Sequence, residues 1–62
     1  MNANTELIDV QKSLSERGYK PGAIDGVYGN NTKAALIEFQ KDYGLKETGR
    51  VDASTRKLLL NY

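Results

Sequence analysis

The groups able to do chemistry in this chain crowd into residues 24–31, Ile-Asp-Gly-Val-Tyr-Gly-Asn-Asn. A carboxylate (Asp25), a phenol (Tyr28) and two carboxamides (Asn30, Asn31) stand among flexible glycines. Such a set could hold a cation, serve acid–base work, hydrogen-bond a ligand, or simply build a turn. A calcium loop is excluded, because the D-x-[DN]-x-[DN]-G pattern and its distant bidentate Glu are missing. Glycosidase chemistry needs two carboxylates about 5 to 10 Å apart in a cleft, and no spacing here brings two inward carboxylates together. The chain has neither cysteine nor histidine. Cys/His zinc sites, Ser-His-Asp and Cys-His nucleophilic devices and disulfide staples are therefore all excluded. What remains is recognition or turn-building, with no metal and no cofactor expected.

Composition narrows the partners. Sixty-two residues make one small domain, and a chain this short buries only about 60% of its unfolded surface, leaving little for a deep cleft. A net charge of +1 gives no basic stripe for nucleic acid and no polybasic patch for a membrane surface. No apolar run approaches the roughly 20 residues of a membrane span, and no signal-peptide pattern stands at the N-terminus. A monomer recognising its ligand by shape and hydrogen bonds is the expectation.

Three helices are expected to position these groups. Over Thr5–Arg17, Leu7, Val10 and Leu14 form an amphipathic stripe with Ile8 and Gln11 at its edge. Asn4 or Thr5 is the expected cap, and Glu6 suits the first turn. Gly18 then reads as a left-handed C′ residue followed by apolar Tyr19. Lys20-Pro21-Gly22-Ala23 is turn chemistry. Thr32–Tyr43 is the second helix, ended by Gly44-Leu45 as the first is ended by Gly18-Tyr19. Ala53–Leu60 is the third, with Asp52 as its expected N-cap. Valine and isoleucine are too scattered for strands. The expected fold is all-α, a small three-helix bundle with structured Gly-rich loops. Its expected core is Leu7, Val10, Leu14, Ile24, Leu36, Phe39, Leu45, Val51, Leu58 and Leu59.

The chain also repeats itself. Gly26 precedes Thr32, a basic residue and Leu36 at the same spacings by which Gly49 precedes Thr55, a basic residue and Leu59. Two turn-plus-helix units of this kind suggest a duplicated supersecondary element.

The ordered set Gln11, Leu14, Gly18-Tyr19, Pro21-Gly22, Ile24-Asp25-Gly26-x-Tyr28-Gly29-x-x-Thr32-x-x-Ala35-Leu36-x-x-Phe39-Gln40, Gly44-Leu45, Gly49 and Thr55 resembles the peptidoglycan-binding domain family. The resemblance runs from about Leu7 to Leu60. It implies a non-catalytic module, residues 1–62, excised from or terminal to a longer bacterial or phage cell-wall hydrolase. The partners implied are peptidoglycan (glycan strand or stem peptide) and a linked amidase, muramidase, peptidase or transpeptidase. The setting implied is the cell wall, periplasm or extracellular space. A tether of this kind raises the effective concentration of an enzyme on an insoluble polymer. The alternative is a packing domain that docks onto its own catalytic partner without touching the wall, since fold alone does not fix function.

Under that resemblance the ligand-binding candidates are Tyr19, Asp25, Tyr28, Asn30, Asn31 and Arg50. Asn30 and Asn31 lead. One is expected to cap the second helix, leaving the other amide free to donate and accept against N-acetyl groups and peptide carbonyls. Asp25 more readily pins its own loop as an Asx-turn. Gly26 and Gly29 are conformational, through positive φ or close approach. Tyr28 is expected to bury its ring in the core with its hydroxyl near solvent. Tyr19 is balanced between closing the first helix and offering a face to a sugar. Arg50 could meet a stem-peptide carboxylate, although an exposed arginine is more often merely solvated. Gln40, Thr32 and Thr55 are read as structural, the glutamine bonding a loop carbonyl and the threonines the local backbone.

Overall fold

The computed structural model describes residues 5–61, which hold three helices and no strand. They are α1 (Thr5–Glu16), α2 (Asn30–Asp42) and α3 (Ala53–Leu60). The expected Asn4 cap of α1 lies outside the described residues. Helix α1 packs against both α2 and α3, so its apolar stripe is the centre of the bundle. Leu7, Val10 and Leu14 meet Ala35, Leu36 and Phe39 of α2 and Leu59 of α3, and Tyr19, Leu45, Val51 and Leu60 pack on this cluster half-buried. The Phe39 ring meets Tyr19 in a T-shaped pair at 5.8 Å and stacks on Tyr43 at 4.3 Å.

The first two helices end as their glycines predict. Tyr19 N–H donates to the Leu14 carbonyl and Gly18 N–H to that of Ser15. Leu45 N–H donates to Gln40 and Gly44 N–H to Lys41 in the same pattern. This double bond pair satisfies carbonyls that the helix leaves open, and it needs a left-handed C′ residue, met by φ of +93° at Gly18 and +70° at Gly44.

Helix α3 starts at Ala53 as expected, whereas the start of α2 and the bonding of Asp52 differ from expectation. Helix α2 begins at Asn30, two residues before Thr32, with Gly29 at the N-cap position in extended geometry and no side-chain cap. Neither asparagine caps it; both lie in its first turn. Gly29 has φ of −122° and open space where a Cβ would stand, so neither positive φ nor close approach explains it. Asp52 does occupy the N-cap position of α3, but its carboxylate bonds no backbone N–H there. Its Oδ1 instead accepts from the Thr55 hydroxyl at 3.2 Å and the Gln40 amide at 3.3 Å.

Two expected core residues are exposed, Ile24 at 43% and Leu58 at 41%. In α3, Thr55 and Leu59 are four apart and share the inward face, which turns Leu58 about 100° away. The loop carrying Ile24 is anchored through its backbone, as described below, and does not need that side chain as a plug. Glu6 reaches across to α3 and pairs with Arg56 at 2.6 Å, tying the start of α1 to α3.

Candidate functional site

Two buried glutamines organise the loops. Gln11 is fully buried, 0% exposed, and each end of its amide is spent on the Asp25–Val27 turn. Its Oε1 accepts from Asp25 N–H at 3.0 Å and Gly26 N–H at 2.9 Å. Its Nε2 donates to the Val27 carbonyl and to the Thr32 hydroxyl, both at 3.1 Å. Gln40 repeats the arrangement on the second loop. Its Oε1 accepts from Gly49 N–H at 2.9 Å, and its Nε2 donates to the Arg50 carbonyl at 2.9 Å and the Thr55 hydroxyl at 3.0 Å. Gly26 and Gly49 correspond, with φ of +75° and +73°, as do Val27 and Arg50, and Thr32 and Thr55. The correspondence extends to the turn residue. Asp25 Oδ1 accepts from Val27 N–H at 2.9 Å, and Thr48 Oγ1 from Arg50 N–H at 3.1 Å. The duplicated element is thus present in three dimensions, and the Asx-turn at Asp25 is formed.

Gln40 has the structural role expected of it, whereas the weight carried by Gln11 was not legible as a stripe-edge residue. Val10-Gln11 and Phe39-Gln40 extend the repeat towards the N-terminus, but fifteen residues separate Gln11 from its glycine and nine separate Gln40 from its own. That unequal spacing conceals the pair. Thr55 serves side chains, and Thr32 donates to the Pro21 carbonyl at 3.1 Å, so neither hydroxyl serves only its own helix turn.

The first repeat holds a groove of about 390 Å³ between the Pro21–Val27 loop and the start of α2. Asp25, Asn30 and Asn31 line it together with Pro21, Gly22 and Thr32. Among the described residues neither asparagine side chain has an intramolecular hydrogen bond. Gly22 lets the groove open beside Asn31: a Cβ there would stand 3.1 Å from both Cβ and Nδ2 of Asn31. The second repeat has a smaller counterpart of about 190 Å³, lined by Leu45, Lys46, Asp52, Ser54 and Thr55. Leu45 and Asp52 stand where the first repeat has Gly22 and Gly29, so side chains occupy space that the first groove leaves open.

The other candidates lie elsewhere. Tyr28 and Arg50 line a separate cleft with Glu6, Leu7 and Val51. The Tyr28 ring is 46% exposed and its hydroxyl donates to the Gly49 carbonyl, the reverse of the expected buried ring and solvated hydroxyl. The hydroxyl finds its partner in the second-repeat loop, which holds the ring over the surface. Tyr19 lines neither cavity; its hydroxyl donates to Asp42 Oδ2 at 2.6 Å. That bond, with burial and the Asp42 charge adding to it, pushes the Tyr19 phenol up to about 12. Among the described residues no three acidic side chains cluster as metal ligands would, and no helix is long and apolar enough to cross a membrane.

The fold and its grooves define a small helical module made of two loop–helix repeats, each locked by a glutamine. A family model described as "Putative peptidoglycan binding domain" matches residues 3–59, and the chain belongs to that family. It is 43% identical over 56 residues to a spore cortex-lytic enzyme of Bacillus subtilis, covering 89% of this chain and 18% of that protein. A spore cortex-lytic enzyme of Bacillus cereus is 36% identical over 55 residues, covering 89% of the chain and 21% of the relative. The localization factor PodJL of Caulobacter vibrioides is 42% identical over 60 residues, covering 97% of the chain and 6% of the relative. The chain therefore spans about a fifth or less of the length of these relatives. No solved structure matches it.

Proposed function

We propose that this domain binds bacterial peptidoglycan through the first-repeat groove and holds a linked cell-wall hydrolase on its substrate. The observation that carries this reading is the pair of asparagine amides, free of intramolecular hydrogen bonds, at the rim of that groove. A carboxamide both donates and accepts, which matches the N-acetyl groups of a glycan and the amides of its peptides. Family membership and the two lytic relatives support the wall as the target. The small share of the two lytic relatives that the chain spans supports a module working beside a separate catalytic domain, and family membership supports action at the cell wall, in the periplasm or outside the cell. Asp25 fixes the loop that forms one wall of the groove, while Asn30 and Asn31 make the contacts.

The test is co-sedimentation of the purified domain with sacculi at low and moderate salt. The wild type pellets with them, and N30A/N31A pellets several-fold less at an unchanged thermal midpoint. A wild-type domain that stays in the supernatant at both salt concentrations contradicts wall binding. A large fall in the midpoint of the double variant would instead assign the asparagines to stability.

A second reading, docking onto the linked catalytic domain, is favoured by the exposed apolar residues of the first loop, Ile24 and Val27, the latter 63% exposed. It gains ground only if the domain fails to pellet.

A further inference from the structure

The cleft of about 310 Å³ lined by Glu6, Leu7, Tyr28, Arg50 and Val51 plays no part in the groove just described, and its chemistry is different. It lies where the two repeats meet. Tyr28 and Val51 are equivalent positions of the two units, and the Tyr28 hydroxyl bonds the Gly49 carbonyl across the junction. Leu7 and Val51 give it an apolar floor beside the exposed ring of Tyr28.

Its charges are unbalanced. The Glu6 carboxylate is held by Arg56 at 2.6 Å. The Arg50 guanidinium, by contrast, has neither an ion pair nor a side-chain hydrogen bond among the described residues, since only its backbone is used by the Gln40 clamp. A free guanidinium presents parallel N–H donors that match a carboxylate. The volume is at the small end of the roughly 300–1,000 Å³ of ligand sites, room for the last one or two residues of a peptide and not for a long segment.

We propose that this cleft takes the free carboxyl end of a short peptide with small apolar side chains. Arg50 grips the carboxylate, and Leu7, Tyr28 and Val51 pack against the methyl groups. This rests on the peptidoglycan reading and refines it: the amide-lined groove and the carboxylate-binding cleft are separate subsites, so the polymer is read at two kinds of group.

The test uses the whole 62-residue chain, labelled for NMR, with three probes. These are N-acetyl-D-alanyl-D-alanine, the same dipeptide amidated at its C-terminus, and N-acetylmuramic acid, whose carboxylate is carried on a sugar. The free dipeptide shifts the amide signals of Leu7, Tyr28, Arg50 and Val51. Amidation, or Arg50→Gln, weakens binding by about tenfold or more, the worth of one charge-assisted contact. Arg50→Lys restores part of it, because the charge remains while the fork is lost. Because the Arg50 side chain is exposed and unbonded, Arg50→Gln keeps the wild-type unfolding midpoint. Equal binding of the free and amidated dipeptides, or an Arg50→Gln protein that binds as wild type, overturns the assignment. Stronger perturbation of the cleft by N-acetylmuramic acid than by the dipeptide also overturns it. Failure of the domain to pellet with sacculi would remove the wall-binding reading itself, an outcome separate from all of these.

Discussion

Gln40 shows how much one side chain does in a domain this small. A single amide closes the turn at Gly49 and Arg50 and fixes the first turn of α3 through Thr55. Replacing it with leucine keeps the volume but strands a buried N–H and a carbonyl, each costing about 1–3 kcal/mol. Gln40→Leu is therefore expected to lower stability by about 2–6 kcal/mol, measured by denaturant unfolding, and Gln11→Leu by a similar amount through the first loop. Tyr19 gives a second residue-scale prediction. Its phenol is raised to about 12 in the fold, first by its hydrogen bond to Asp42, against about 10 when unfolded. Between those values the folded state holds the proton that the unfolded state has lost, so stability falls as pH rises. The contribution is fully present below pH 10 and gone above about 12. In Tyr19→Phe that component of the alkaline loss of stability disappears, and in the wild type the Tyr19 ring signal titrates at about pH 12. At this scale sequence reads unevenly. The Asx-turn at Asp25 follows from residue type and its glycine neighbour, because both partners are local. The outward ring of Tyr28 does not, because the carbonyl that holds its hydroxyl is twenty-one residues away.

Among the elements, the C-termini of α1 and α2 and the start of α3 were legible, and the start of α2 was not. A left-handed C′ residue is announced by glycine followed by an apolar residue, and Gly18-Tyr19 and Gly44-Leu45 follow that rule. The start of α2 carries no such signal, because Gly29 at its N-cap position has no side chain with which to cap. These two kinds of glycine predict opposite outcomes. Gly44→Ala places a Cβ in the left-handed region, with open space around it, and costs about 1–2 kcal/mol from backbone strain alone. Gly29→Ala, at φ of −122° with nothing nearby, is neutral or stabilises by about 0.4–1 kcal/mol through the unfolded chain. Thermal unfolding of the two variants beside the wild type checks both.

Across the whole molecule, the repeat is what converts a three-helix bundle into a surface with grooves. The two loop–helix units are clamped alike, but they differ in what fills the space beside each helix start. Glycines leave the first groove open, and Leu45 and Asp52 narrow the second. The bundle and most of its core were legible from the 3.6-residue stripes of α1 and α2. The run Leu58-Leu59-Leu60 offers three apolar residues where only Leu59 is buried, so composition could not choose between them, whereas the i, i+4 relation to Thr55 does. The gathering of Asp25, Asn30 and Asn31 around one groove, with Tyr28 and Arg50 in another and Tyr19 in neither, depends on long-range bonds from Gln11 and Gln40 that no local pattern displays.

The central claim, wall recognition at the first-repeat groove, is tested most directly by amide chemical-shift mapping with peptidoglycan fragments released by a muramidase. The side-chain amide signals of Asn30 and Asn31 report contact without any substitution. They are expected to move first and furthest, together with the backbone signals of Gly22 and Asp25. Fragments that leave both asparagine side chains unmoved, or that shift only residues outside the groove such as Ser13 and Leu58, would contradict it.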